Sequence, residues 1–302
     1  MKNSIFIAAL ILCVQSFSYA QKSTSIVGPK KTVNPYHYTS VKSITFSKAC
    51  VASAHPLASE VGAAIMKKGG NAFDAMIATQ LTLAVVYPGA GNLGGGGFMI
   101  AHKKDGSSIA LDYREMASSK ASRDMYLDKD GNAQNQLSEI GHLSSGVPGT
   151  VAGLFATARY AKLPFAELIQ PAIDLAEKGF VITAGEANGL NGNRADFIKY
   201  STKPSAFVKE QEWKAGDTLV QPELAATLKR IRDNGLKGFY EGETAKLIAE
   251  EMQRGNGMVS LEDLKKYVVK ERKVISFDYR GYQVISFPRQ AVVVSYLHRC
   301  LK

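Results

Sequence analysis

The sequence predicts an α+β fold. Strand-like runs stand towards both ends of the chain, the middle is helical in pattern, and the two do not alternate as a simple parallel sheet requires. The 302 residues, 45% of them hydrophobic, supply enough apolar material for one large or two small domains with a substantial core.

Each element has its own local signals. Lys2, the mostly apolar run Ile5 to Val14 and the small-x-small site Ser18-Tyr19-Ala20 have the plan of a secretory signal over residues 1–20. The apolar run is too short to span a bilayer as a helix, so a periplasmic or secreted location is expected. Residues 21–42 are polar, carry Gly28-Pro29 and Asn34-Pro35, and read as an irregular arm. Short β-like runs are expected at Ile44 to Phe46 and Cys50 to Ala52.

Pro56 then opens a helix over Leu57 to Lys68, with Val61, Ala64 and Ile65 at helical spacing, and Gly69-Gly70 ends it. Asn71 with Asp74 three residues on has the form of a capping box. The body of that second helix, Ala75 to Val86, is almost wholly apolar and should be buried on most sides. After Pro88 and the run Gly94 to Gly97, a strand from Phe98 to Ala101 turns at Lys103-Lys104-Asp105-Gly106 and returns over Ile109 to Tyr113. Helical patterns cover Thr150 to Tyr160, Phe165 to Lys178, Pro222 to Asn234 and Gly242 to Met252. Ser260 caps a short helix running to Tyr267, with Glu262 and Asp263 in its first turn. Val274 to Tyr279 and Tyr282 to Phe287 read as strands joined at Arg280-Gly281.

Composition narrows the function. The net charge is +10, yet lysine pairs such as Lys103-Lys104 and Lys265-Lys266 are mixed with acids and no aromatic-interleaved basic tract occurs. That is a solvated basic surface, and nucleic acid is not an expected partner. No further segment is apolar enough for a membrane span, so no membrane association is expected after signal removal. The histidines (His37, His55, His102, His142, His298) are scattered, and no C-x-x-C or H-E-x-x-H occurs. No metal or cofactor is expected on that ground. Cys50 and Cys300, left after signal removal, could pair in an oxidising compartment but make no disulfide scaffold.

Candidate sites are few. A phosphate loop needs a strand before its glycines and a helix after; here the order is helix, glycines, strand, which points to a tight turn or close packing. Arg114, just past a strand in Asp112-Tyr113-Arg114-Glu115, could grip a substrate carboxylate through two parallel hydrogen bonds. On spacing alone, an ion pair with Asp112 or Glu115 is the plainer reading. There is no G-x-S-x-G, and His55 and His142 read as structural histidines, so no catalytic residue is assigned.

Seven segments in register carry a resemblance. They are Ala54-His55-Pro56-Leu57-Ala58, Gly69 to Ala75, Gly94 to Met99, Asp112 to Glu115, Gly146-Val147-Pro148-Gly149, Pro171 to Ala176 with Gly179-Phe180, and Asp263-Leu264 with Tyr267. Together, from about residue 45 to Phe287, they resemble the large-subunit portion of γ-glutamyltransferase (glutathione hydrolase). The resemblance implies an N-terminal-nucleophile hydrolase, an αββα four-layer sandwich of which residues 43–287 form the large-subunit region. It implies a precursor that cleaves itself and a small subunit whose new N-terminal threonine attacks the γ-glutamyl amide of glutathione. It also implies that Arg114 holds the substrate α-carboxylate, and that glutathione, other γ-glutamyl compounds and the small subunit are the partners.

The family usually continues after the last strand with Pro-Pro-Pro-Ser-Ser-Gly-Gly, whereas this chain reads Pro288-Arg289-Gln290-Ala291 and onwards. Degenerate codons for Pro288 through Ser295, read from the third base of the proline codon, permit Pro-Pro-Ser-Ser-Gly-Gly. The expectation is a one-base frameshift, residues 288–302 an aberrant tail, and a truncated chain that lacks the nucleophile and is inactive alone. A non-functional product, or a periplasmic binding protein for γ-glutamyl compounds, are the alternatives.

Overall fold

The computed structural model describes residues 45–203 and 205–288. The expected export signal, the arm, Ile44, Cys300 and the tail from Arg289 lie outside the described residues. The chain divides into two units, Met1–Ala49 and Cys50–Lys302. Residues 45–49 of the first are exposed and form neither helix nor strand, so among the described residues every helix and strand belongs to the second.

In chain order the second unit runs through α1 (Pro56–Lys67), α2 (Ala72–Val86), β1 (Phe98–His102), β2 (Ser108–Asp112), α3 (Asn135–Glu139) and α4 (Thr150–Ala158). Next come α5 (Phe165–Lys178), β3 (Phe180–Val181), α6 (Ala184–Gly192), α7 (Arg194–Tyr200) and β4 (Thr218–Leu219). The chain continues with α8 (Pro222–Asn234), α9 (Lys237–Tyr240), α10 (Gly242–Arg254) and α11 (Leu261–Lys265). It closes with β5 (Lys270–Arg272), β6 (Ile275–Tyr279) and β7 (Tyr282–Ser286).

The core is built around α2. Its N-terminus is fixed by the capping box read from sequence: Asn71 Oδ1 accepts the N–H groups of Phe73 and Asp74 at 2.8 and 3.1 Å, and Asp74 Oδ2 accepts the Asn71 N–H at 2.7 Å. Because this helix lacks a polar face, it is packed on several sides, by α1, α4 and α5, while α8 packs on α5. Ile65, Ile77, Leu81, Leu154, Leu168, Ile173 and Leu228 are all buried in this cluster. Each such side chain contributes roughly 1.5–3 kcal/mol by leaving water. Gln221 reaches in from the start of α8, its Nε2 donating at 2.8 Å to the Val85 carbonyl near the end of α2, where helix carbonyls lack partners.

One three-stranded antiparallel sheet, in the order β1-β2-β5, lies against this bundle. Met99, Ile109, Leu111 and Tyr113 pack with Phe73 and Met76 of α2 and Ala156 of α4, so helices cover one sheet face. Two-stranded β3–β4 and the β6–β7 hairpin are separate. Arg280 and Gly281 turn the hairpin with φ of 48° and 82°, both in the region that a two-residue hairpin turn with matching twist demands.

The structure departs from expectation in several places. Among the described residues, 45–46 and 50–52 form no strand, because no neighbouring segment bonds to them and a run that short is a strand only by virtue of its partner. The third sheet strand is instead Lys270–Arg272, which has no apolar alternation. The helix expected to reach Tyr160 ends at Ala158, where Tyr160 and Ala161 switch to tighter bonds onto Thr157 and Ala158 at 3.0 and 3.1 Å. The helix from Ser260 closes at Lys265, leaving Tyr267 just beyond it.

Candidate functional site

Where β2 ends, the chain is held from below by the glycine run. Gly97 and Tyr113 exchange N–H···O bonds at 3.0 and 3.2 Å, and Gly95 O accepts from Gly149 and Thr150 at 2.7 and 3.0 Å. A Cβ on Gly96 would lie 2.5 Å from Tyr113 O and 2.8 Å from Arg114 Cα, so only glycine lets the two backbones meet. The Tyr113 ring fills the space left by Gly97 and Gly153. Burial pushes its phenol up to about 12, against a smaller opposing effect of Gln80. The glycines thus support the loop that begins at Arg114.

Arg114 projects into a cleft of about 250 Å³ lined by Phe98, Asp112, Glu115, Met116, Tyr267, Val268, Lys270 and Arg272. Its Nε donates to Glu115 Oε2 at 3.0 Å and its guanidinium carbon lies 5.4 Å from the centre of the Phe98 ring. The ion pair with Glu115 read from spacing is present and uses one nitrogen, while Nη1 and Nη2 carry no protein hydrogen bond among the described residues. The arginine side chain remains 59% exposed. Its backbone is held more firmly. The Arg114 N–H donates to Asp112 Oδ1 at 3.2 Å and its carbonyl accepts the Tyr267 hydroxyl at 2.7 Å.

The remaining charges come from β5. Lys270 lies opposite Asp112 in register and Arg272 opposite Ala110, which places both side chains on the sheet face of Asp112. Arg272 binds Asp112 Oδ2 through Nε and Nη2 at 3.1 and 2.8 Å. With three cations and two acids, the cleft carries one surplus positive charge and suits an anionic group. No serine, threonine or cysteine lines it among the described residues.

The other two candidates, His55 and His142, each lie against an acidic side chain outside the cleft. His55 Nδ1 caps α1 by accepting the Leu57 N–H at 3.2 Å, and Nε2 lies 3.0 Å from Glu186 Oε1. Burial alone would raise the Glu186 carboxyl, but hydrogen bonds from Thr183 and His55 outweigh it and hold the group low. His142 Nε2 lies 2.6 Å from Glu251 Oε1, away from the cleft. Among the described residues no cluster of histidine, cysteine or acidic side chains could hold a metal, and no helix is long and apolar enough to cross a membrane. Sequence reading missed Lys270 and Arg272. The one signal was the charge-rich Lys270-Glu271-Arg272-Lys273 after Tyr267, which spacing alone does not distinguish from a solvated loop.

The fold is that of an N-terminal-nucleophile hydrolase. The crystal structure of Helicobacter pylori γ-glutamyltranspeptidase superposes with a TM-score of 0.83 and 44% identity, covering 86% of this chain and 75% of that one. Residues 58–298 match the γ-glutamyltranspeptidase family, and the chain belongs to it. It is 47% identical over 241 residues to the glutathione hydrolase proenzyme of Escherichia coli (strain K12), which takes in 79% of this chain and 42% of that one. It is 42% identical over 277 residues to the proenzyme of Pseudomonas sp. (strain A14), covering 91% and 48%. The chain thus spans about half the length of the curated relatives it matches.

Proposed function

We propose that this chain supplies the donor-gripping part of a γ-glutamyl-transferring enzyme, with Arg114 holding the α-carboxylate of the γ-glutamyl group. The observation that carries this is the pair of Arg114 nitrogens, Nη1 and Nη2, without a partner among the described residues, in a cleft with surplus positive charge. A planar fork with two open N–H edges matches a carboxylate in bidentate fashion. The relatives' names, glutathione hydrolase proenzyme, support glutathione as the donor and a self-processed precursor as the working form.

No serine, threonine or cysteine lines the cleft among the described residues, which supports a division of labour with a small subunit. On this reading the small subunit's threonine hydroxyl attacks the γ-carbonyl carbon, its proton passing to the threonine's own α-amine. The amide C–N bond breaks, the amine takes that proton and leaves, and the resulting ester is cleaved by water or by an amino acid. Residues 43–287 form the large-subunit region, and the leader at 1–20 supports a periplasmic or secreted site of action.

The test is the Arg114→Ala variant in the enzyme formed by this chain with its nucleophile-bearing small subunit. Losing a charge-assisted pair of roughly 1.5–3 kcal/mol should raise KM for a γ-glutamyl anilide about 10- to 150-fold, with a smaller loss in kcat. An unchanged KM would overturn the assignment.

A further inference from the structure

Arg114 has a long, mostly exposed side chain held, among the described residues, by an exposed neighbour and the face of the Phe98 ring. Such a group loses considerable freedom on gripping a ligand, and that cost is lowered if its starting point is fixed. The starting point is fixed here at both ends of one residue. Asp112 Oδ1 takes the Arg114 N–H, and the Tyr267 hydroxyl donates to the Arg114 carbonyl at 2.7 Å. We infer that Tyr267 is a positioning residue for Arg114, presenting its guanidinium in one orientation to the substrate carboxylate. This rests on the carboxylate-holding role proposed for Arg114.

Tyr267 is itself braced. Its ring stacks on Tyr240 with centroids 5.8 Å apart and an 8° angle between planes. Tyr240 is tied to the start of α4: its hydroxyl donates to Pro148 O at 2.9 Å and accepts the Ala152 N–H at 3.2 Å. Gly149 makes room for the arrangement, since a Cβ there would lie 2.1 Å from the Tyr267 hydroxyl oxygen. Burial first, then the nearby Asp112, Glu115 and Tyr113, push the Tyr267 phenol above its ordinary value. The hydroxyl therefore keeps its proton, and its role as donor, at neutral pH. Nothing about this phenol is needed to fill the cleft; phenylalanine would stack on Tyr240 equally well.

The Tyr267→Phe variant isolates the hydroxyl. In the assembled enzyme, KM and kcat are measured for a γ-glutamyl anilide and for its analogue with an α-carboxamide in place of the α-carboxylate. KM for the acid should rise roughly three- to tenfold, the loss of one hydrogen bond, while kcat stays within about twofold. The carboxamide's kcat/KM should not move, so the preference for the carboxylate falls by the same factor. Equal losses on both substrates, or no loss on either, would overturn the inference. Arg114→Ala in the same assay separates the two proposals. If it leaves the preference intact, the role of Arg114 itself fails. If it abolishes the preference while Tyr267→Phe keeps it, only the positioning role of Tyr267 fails.

Discussion

Arg272 grips one oxygen of Asp112 with two nitrogens, Nε at 3.1 Å and Nη2 at 2.8 Å, while the other oxygen of the same carboxylate takes the Arg114 N–H at 3.2 Å. Asp112 is 7% exposed, so this pair sits largely out of water and joins the end of β2 to β5. A strand of only three charged residues keeps its place in the sheet through that contact as well as its backbone bonds.

The Asp112→Asn variant keeps an acceptor for Arg114 but removes the charge that Arg272 faces. Breaking a charge-assisted contact in this setting should cost about 1.5–3 kcal/mol in denaturant unfolding. The loss should be distinctly larger than for Glu115→Gln, whose exposed pair with Arg114 is worth at most about 1 kcal/mol. Equal costs for the two would show that the Asp112–Arg272 contact is no more than a surface pair.

Two glycines of the same run should respond very differently to a methyl group. On Gly96 it would press on the Tyr113 carbonyl and the Arg114 Cα, both backbone, whereas a Cβ on Gly94 meets nothing within 4 Å. Gly96→Ala should therefore cost about 1–3 kcal/mol and Gly94→Ala stay within about 0.5 kcal/mol, read from thermal or denaturant melts. Comparable damage at both positions would contradict the close backbone approach.

The features legible in the sequence were local ones. Asn71 with Asp74, and Ser260 with Asp263, announced helix starts because a cap is a matter of neighbours within one turn. The same pattern in Thr183 and Glu186 was overlooked, since no apolar periodicity comes after it. Lys270–Arg272 was invisible as a strand because only its pairing with β2 makes it one. The residues around Arg114 were hidden for a related reason: Tyr267 and Arg272 lie 153 and 160 positions from the residues they bind, a distance no motif spans.

Asp74 does more than close the capping box. It is fully buried, and beyond the Asn71 N–H it accepts those of Lys162 at 3.0 Å and Leu163 at 2.9 Å. Asn71→Ala should cost about 1–2 kcal/mol, the usual worth of a cap. Asp74→Ala strands three donors and should cost about 3 kcal/mol or more. Urea titration of both variants compares them directly, and equal costs would reduce Asp74 to a local cap.

Asp263 gives the fold a defined response to acid. Its carboxylate accepts the Ser119 N–H at 2.8 Å, the Ser260 N–H at 3.0 Å and the Ser260 hydroxyl at 2.7 Å, fixing the start of α11 just ahead of Tyr267. Burial by itself would raise this carboxyl, but the donors from Ser119 and Ser260 outweigh it and hold the group well below the usual carboxylate range. The folded state therefore releases the proton more readily than the unfolded chain does. Its contribution is complete above the unfolded aspartate value near pH 4 and fades as pH falls from there through the folded value. Asp263→Asn should cost about 1.5–3 kcal/mol at pH 7 and progressively less towards pH 3, so the two stability curves converge on the acid side. Parallel curves between pH 3 and 7 would show that Asp263 is not the group responsible.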